Sequence, residues 1–284
     1  MNLKQLLHHF TKELKEIYDE QEIISIFNII VEHISGFNKS QLMLNGSAEV
    51  EEVKYSAYLQ ALDRLKTGEP LQYVIGDTVF YGLTFKVNPA VLIPRPETEE
   101  LVDWIIERCN SALLKGGSLL DIGTGSGCIA ISLKKNLANF KVSAIDISES
   151  ALTTANENAR LNNTDVNFIH ADILNYKSAE KYDLIVSNPP YITTEEQKEM
   201  HQNVLENEPH LALFVSDEKP IIFYEAIADF ALGNLNINGL LCFEINEYLG
   251  KETVQMLIDK SFIDIELRKD MQGKDRMIIC SAPN

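Results

Sequence analysis

The hydrophobic positions of this chain change their period once, and the change divides it. Leu3, Leu6, Leu7, Phe10, Leu14, Ile17 and Tyr18 recur three or four residues apart, and Ile23, Ile24, Phe27, Ile30, Val31 and Ile34 repeat the pattern. That spacing gathers apolar side chains on one face of a helix. A third stripe covers 50–65, with Ser47 placed to cap it and Gly68 and Pro70 to stop it. Residues 1–72 are therefore expected to form a small helical bundle whose stripes are its core.

Short runs at 79–81 and 84–87 flank Gly82-Leu83 and predict a β-hairpin within a linker spanning 73–96. A helix then starts at Pro96 or Thr98 and carries Leu101, Val102, Trp104 and Ile105. Beyond Ser118 the pattern alternates. Apolar runs at 119–122, 142–145, 166–170, 182–187, 240–245, 263–267 and 276–280 are interleaved with helical stretches at 128–137, 149–161, 220–232 and 251–260. This alternation predicts an α/β domain over 97–284, Rossmann-like and doubly wound, with a mostly parallel seven-stranded sheet. The stretch 269–275 is too short for a crossover helix, so the last two strands should pair antiparallel at one edge, turning near Gln272-Gly273.

Composition narrows the possibilities. The 284 residues suffice for one large domain or two unequal ones, and the formal net charge of −17 argues against a broad grip on phosphate backbones. Direct nucleic-acid binding is not expected. Cys109, Cys128, Cys242 and Cys280 are scattered without a C-x-x-C pair, and the six histidines show no ligand spacing. Reduced thiols and no metal site follow. The N-terminus lacks the apolar core of a signal peptide and no run approaches membrane-spanning length, so the protein is expected to be cytoplasmic, off the membrane and monomeric.

The chemistry is concentrated at strand ends, where open parallel sheets bind ligands. Asp121-Ile122-Gly123-Thr124-Gly125-Ser126-Gly127 follows the first strand of the alternating region and opens a helix. Its third glycine comes one residue too early for a dinucleotide fingerprint, so a tight strand–helix turn is the bland alternative. The next strand ends at Asp146, an acid able to accept both hydroxyls of a ribose, or to cap the following helix. The third ends before Asp172, which can accept an exocyclic amine, and Ile173, which can cover a purine face. Together these describe a nucleoside cofactor site.

The fourth strand is stopped by Ser187-Asn188-Pro189-Pro190-Tyr191, because two prolines cannot continue a ladder. The Asn188 side-chain oxygen and the Pro189 carbonyl form a pair of acceptors that matches the two N–H bonds of a planar –NH2 group. Adenine, cytosine and glutamine all carry one. Hydrogen bonds to both protons orient the nitrogen lone pair toward a sulfonium methyl donor, and Tyr191 can stack on the substrate.

These motifs resemble those of class I S-adenosylmethionine-dependent methyltransferases. The run 68–76, Phe80-Tyr81-Gly82-Leu83 and Leu92-Ile93-Pro94-Arg95-Pro96-Glu97-Thr98-Glu99 resemble more specifically the peptide chain release factor glutamine methyltransferases, the HemK family. Glu208-Pro209 and Leu211-Ala212-Leu213 fit as well, whereas 214–220 lacks the expected glycines. The resemblance implies methylation at N5 of the glutamine in the release factor Gly-Gly-Gln loop. It also implies S-adenosyl-L-methionine bound by the loop at 123–127, Asp146, Ile173 and Asn188, the glutamine held by Asn188, Pro189, Pro190 and Tyr191, and a release factor docked with help from the helical bundle. Arg95 is left as a substrate contact, a lid residue or an ion-pair partner. The alternatives are a glutamine methyltransferase of a ribosomal protein, a DNA adenine N6-methyltransferase and a non-catalytic nucleotide-binding module.

Overall fold

A computed structural model describes residues 1–111, 116–199 and 202–283. The chain folds as two compact units.

The first unit is helical. It comprises α1 (Leu3–Leu14), α2 (Glu20–Ser35), α3 (Lys39–Asn45), α4 (Glu52–Lys66) and α5 (Leu71–Ile75). Leu6, Phe10, Leu14, Ile23, Phe27, Tyr58 and Leu65 form its core, as the periodicity predicts. One expectation fails: Ser47 caps nothing. The chain instead forms the extra helix α3, started by an Asn38–Gln41 capping box, and α4 begins later, after Glu51. Between them, Val50 donates its N–H to the Met1 carbonyl and so is held off the helix. A second surprise is distant in sequence. Gln202–Asn207 belongs to this unit, where the Asn207 side-chain amide donates to the Gly68 carbonyl.

The second unit begins with a hairpin of β1 (Asp77–Phe80) and β2 (Leu83–Lys86). Its turn is Tyr81-Gly82, one residue earlier than predicted, with positive φ at both positions as a two-residue type I′ turn requires. Tyr81 tolerates this conformation because its N–H donates to Glu99 and its hydroxyl to Asp103. The hairpin is more than a linker. Asn158 accepts from the Lys86 N–H and donates to the Lys86 carbonyl, so β2 is tied to the body of the unit.

There follow α6 (Pro96–Ser111), β3 (Gly117–Ile122), α7 (Cys128–Asn136), β4 (Phe140–Asp146), α8 (Glu149–Leu161), β5 (Val166–His170) and β6 (Tyr182–Ser187). After the excursion of α9 (Gln202–Asn207) to the first unit come the single turn α10 (His210–Leu213), α11 (Ile222–Asn234), β7 (Leu235–Glu244), α12 (Gly250–Asp259), β8 (Ile263–Lys269) and β9 (Asp275–Ser281). The strand order is β5-β4-β3-β6-β7-β9-β8. All pairings are parallel except those of β9, which runs antiparallel between β7 and β8 near one edge. Two apolar layers cover the sheet. One includes Trp104, Ile131 and Val186, and the other Ile185, Tyr224 and Phe243. The four cysteines are buried and unpaired. Among the described residues no helix is long and apolar enough to cross a membrane.

Candidate active site

The strand order reverses between β3 and β6, since β4 and β5 lie on one side and β7 on the other. A doubly wound sheet opens a crevice at such a point. Here a cleft of about 280 Å³ lies across the strand ends, with Gly123, Gly125, Asp146, Asp172, Ile173 and Asn188 among its lining residues. Its wall is largely apolar, with Ile147, Leu211, Phe223 and Ile227 also contributing.

The glycine loop is fastened at several points. The N–H groups of Gly123 and Thr124 both donate to the Ile145 carbonyl, at 2.9 and 3.1 Å. Gly127 is needed for two reasons. Its φ is +82°, and a Cβ there would lie 2.9 Å from the tip of the Ile131 side chain and 3.2 Å from the Ala155 side chain, so Ile131 would have to move and α8 to give by a few tenths of an ångström.

Asp121 sits beneath this loop, fully buried. It accepts from the Thr124 hydroxyl at 2.6 Å and from the Ala130 N–H at 3.3 Å through one oxygen, while Oδ1 has no hydrogen-bond partner among the described residues. Burial, with a smaller push from Asp146, raises its carboxyl from 3.8 to about 7. Asp121, Thr124, Ser126 and Gly127 thus support the loop from below, while Gly123 and Gly125 reach the cleft surface.

Asp146 lines the cleft at the end of β4. Oδ2 accepts from the Gly125 N–H at 2.8 Å and Oδ1 from the Ser148 N–H at 2.9 Å. Each oxygen keeps a further acceptor site, so the carboxylate can still receive two hydroxyls side by side. Burial pushes its pKa up and the backbone N–H groups oppose the push. Asp172 closes a local turn by accepting from the Leu174 N–H and the Asn175 amide, and it borders the cleft beside Ile173. A paired acceptor, a glycine loop and an apolar wall suit a nucleoside.

Across the switch point, Ser187 donates its hydroxyl to the Ile122 carbonyl at 2.7 Å, tying the end of β6 to that of β3. Asn188, Pro189 and Pro190 line the cleft. The Asn188 amide nitrogen faces the Thr98 hydroxyl at 3.4 Å, and Thr98 donates to Glu244 Oε2 at 2.6 Å. Tyr191 turns the other way. Its hydroxyl donates to Glu244 Oε1 at 3.2 Å and its ring packs against the core, outside the set of cleft-lining residues. Tyr191 is thus held in the wall beside the cleft by Glu244 and the core. Burial, reinforced by the neighbouring Glu244, pushes its phenol well above the ordinary value. Glu244 is itself raised by burial and pulled down by Thr98, Arg276 and Tyr191.

Arg95 is an ion-pair partner. Its guanidinium meets Glu208 at 2.6 Å, and the other oxygen of this buried carboxylate accepts from the Ile93 N–H at 3.3 Å. The pair joins segments that supply Val91, Leu92, Pro209 and Leu211 to the cleft. The segment after 213 keeps a regular course without glycines, because Ile192 and Val215 exchange backbone hydrogen bonds with the facing stretch. Thr98 and Glu244 were not singled out from the sequence. The available signal was an acid closing the apolar run Leu240-Leu241-Cys242-Phe243-Glu244, where a charge is costly unless it is used.

A doubly wound sheet of order β5-β4-β3-β6-β7-β9-β8, with β9 antiparallel and a cleft across its switch point, is the architecture of a class I methyltransferase, and this chain is one. Residues 98–212 match the methyltransferase small domain family and residues 5–76 match the PrmC N-terminal domain family. The chain is 49% identical to the release factor glutamine methyltransferase of Flavobacterium psychrophilum, over 98% of both chains. It is 40% identical to the protein of the same description from Bacteroides thetaiotaomicron, over 97% of this chain and 99% of that one. A methyltransferase from Pyrococcus furiosus shares the fold, with a TM-score of 0.54 at 21% identity over 72% of this chain and 92% of that one. The chain belongs to the release factor glutamine methyltransferase family.

Proposed function

We propose that this protein transfers a methyl group from S-adenosyl-L-methionine to the side-chain amide nitrogen, N5, of the glutamine in the Gly-Gly-Gln loop of peptide chain release factors. Full-length similarity to curated proteins of that description supports the reading. The observation that carries it is that Asn188, after β6, lines the same cleft as the ribose-type acceptor Asp146, at the end of β4 on the other side of β3.

The residues fit the donor. Asp146 has acceptor capacity for the ribose hydroxyls, Gly123 and Gly125 allow close backbone approach, and Ile147 and Ile173 offer apolar cover for a purine beside Asp172. When bound there, S-adenosylmethionine supplies an electrophilic methyl group on sulfonium. Asn188 Oδ1 and the Pro189 carbonyl accept the two N–H bonds of the glutamine amide, drawing electron density toward its nitrogen and aiming the lone pair. Tyr191 and Pro190 fix the wall behind them. The proton shed after transfer leaves a weakly basic methylated amide, so no strong general base is needed in the site.

In this reading the helical unit helps dock the release factor, and the protein works as a monomer in the cytoplasm, where its substrate is used. The DNA adenine alternative would use the same acceptors on an extruded base, and the net charge of −17 disfavours it. Labelled methyl transfer to a purified release factor tests the assignment. Substituting the loop glutamine by alanine should abolish labelling. Equal labelling of that variant would overturn the glutamine assignment, and labelling of duplex DNA instead would favour the rival.

A further inference from the structure

We propose that Thr98 and Glu244 are positioning residues that fix which end of the Asn188 side-chain amide faces the substrate. The inference deepens the functional reading above and rests on it for its kinetic consequence, though not for its structural one.

An asparagine amide has a donor end and an acceptor end of nearly the same shape, and only the acceptor end can receive a substrate N–H. A half-turn about the last side-chain bond would present two donors to two donors. Something must therefore set the sense, and proton counting along the hydrogen-bond chain shows what does. Glu244 as carboxylate can only accept, and both oxygens are used, Oε2 by Thr98 at 2.6 Å and Oε1 by Tyr191 at 3.2 Å. Burial raises the Glu244 pKa, and the hydrogen bond from Thr98, then Arg276 and Tyr191, oppose that rise and favour the ionised form. A threonine hydroxyl carries a single proton. Once that proton is committed to Glu244, Thr98 Oγ1 has only lone pairs to offer Asn188, which must answer with its NH2 group. The Nδ2–Oγ1 separation is 3.4 Å. Asn188 Oδ1 is then left for the cleft.

The three residues come from three elements that the fold holds in place. Thr98 lies in the first turn of α6, Glu244 closes β7 and Asn188 follows β6, with Ser187 paired to Phe243 in the adjoining register. Thr98 and Glu244 are both only 2% exposed. Solvent therefore offers Asn188 little competition on that side.

The test uses the full chain with three substitutions. Thr98→Val keeps the shape and removes the hydroxyl; Thr98→Ser keeps the hydroxyl. Glu244→Gln can donate to Thr98, which frees the Thr98 proton to point at Asn188 and permits the wrong sense. Thr98→Val and Glu244→Gln should each lower kcat by about tenfold or more, as loss of oriented contacts does. KM for both substrates should stay within about twofold, and donor affinity by calorimetry should match wild type, which certifies the fold. Thr98→Ser should recover most of the rate. A merely structural role would move donor affinity together with kcat and would not separate serine from valine.

A second readout is independent of the substrate. In wild type, the Asn188 side-chain NH2 resonance, identified by its loss in Asn188→Ala, should be protected from hydrogen exchange, and Thr98→Val should remove that protection. Unchanged kcat in Thr98→Val, or unchanged exchange of the Asn188 amide, overturns the proposal. Wild-type protein that leaves the release factor unmethylated while keeping the protected amide would instead refute the functional reading and leave the positioning role standing.

Discussion

Asp121 is ionisable, completely buried and half-satisfied, and it should therefore weaken the fold as pH rises. One oxygen has two donors and the other none. Burial moves the carboxyl from 3.8 to about 7. The sign follows from proton binding. Between these two pH values the folded state holds the proton more tightly than the unfolded state, so stability is lost as pH climbs through the window. At about 1.4 kcal/mol per unit of pKa difference, the full cost at pH 8 is on the order of 4 kcal/mol relative to pH 3.5. Asp121→Asn removes the charge while its amide oxygen can still accept from Thr124 and Ala130. The unpartnered NH2 carries its own cost, about 1–3 kcal/mol, but that cost does not depend on pH. Equilibrium urea unfolding of both proteins between pH 4 and 8 provides the measurement. Trp104 is the only tryptophan and is buried in the second unit, so its fluorescence reports the unit that contains Asp121. The stability of the variant minus that of wild type should rise across pH 4–7 and level off above. A flat difference, or one that falls, would refute the claim that Asp121 is costly when charged.

Three further outcomes are expected. Asn188→Ala should leave donor affinity near normal in calorimetry and reduce turnover by about 10²-fold or more, because the proposed function has Asn188 hold the reacting amide. Asp146→Ala should weaken donor binding about tenfold or more, measured the same way, since charge-assisted hydrogen bonds contribute about 1.5–3 kcal/mol. Gly127→Ala combines a strained φ of +82° with a side chain 2.9 Å from Ile131, and Trp104-monitored unfolding should show a loss of about 2 kcal/mol or more.

The central sheet was readable because its strands are short apolar runs cut by turn residues. β5 and β6 fall on the predicted runs, and α8 covers the predicted 149–161. The longer β7 was read as 240–245 because its first half, Leu235-Asn236-Ile237-Asn238-Gly239, contains the very residues that mark a turn. The places of Asp146 and Asn188 in the cleft lining were legible because polar groups at the ends of buried strands have few structural reasons to be there. Thr98 and the inward turn of Tyr191 were not legible. A threonine in the first turn of a helix reads as an ordinary helix start, and a side chain's direction depends on a partner, Glu244, that is 53 residues away. The membership of α9 in the helical unit escaped for the same reason, since nothing local in Gln202–Asn207 marks contact with Gly68.

That last feature has a consequence in time. A ribosome releases residues 1–76 before the sheet, yet the helical unit stays one element short until Asn207 has been made, 131 residues later (207 − 76). At about 5–20 residues per second, synthesis of that interval lasts from several seconds to nearly half a minute. During it, β3 through β6 are completed. The bundle, although it precedes the sheet along the chain, is thus finished only after four strands of that sheet have been synthesised. Gly68, which leaves 2.9 Å between a would-be Cβ and the Asn203 side-chain oxygen, is a seat prepared well before its occupant exists.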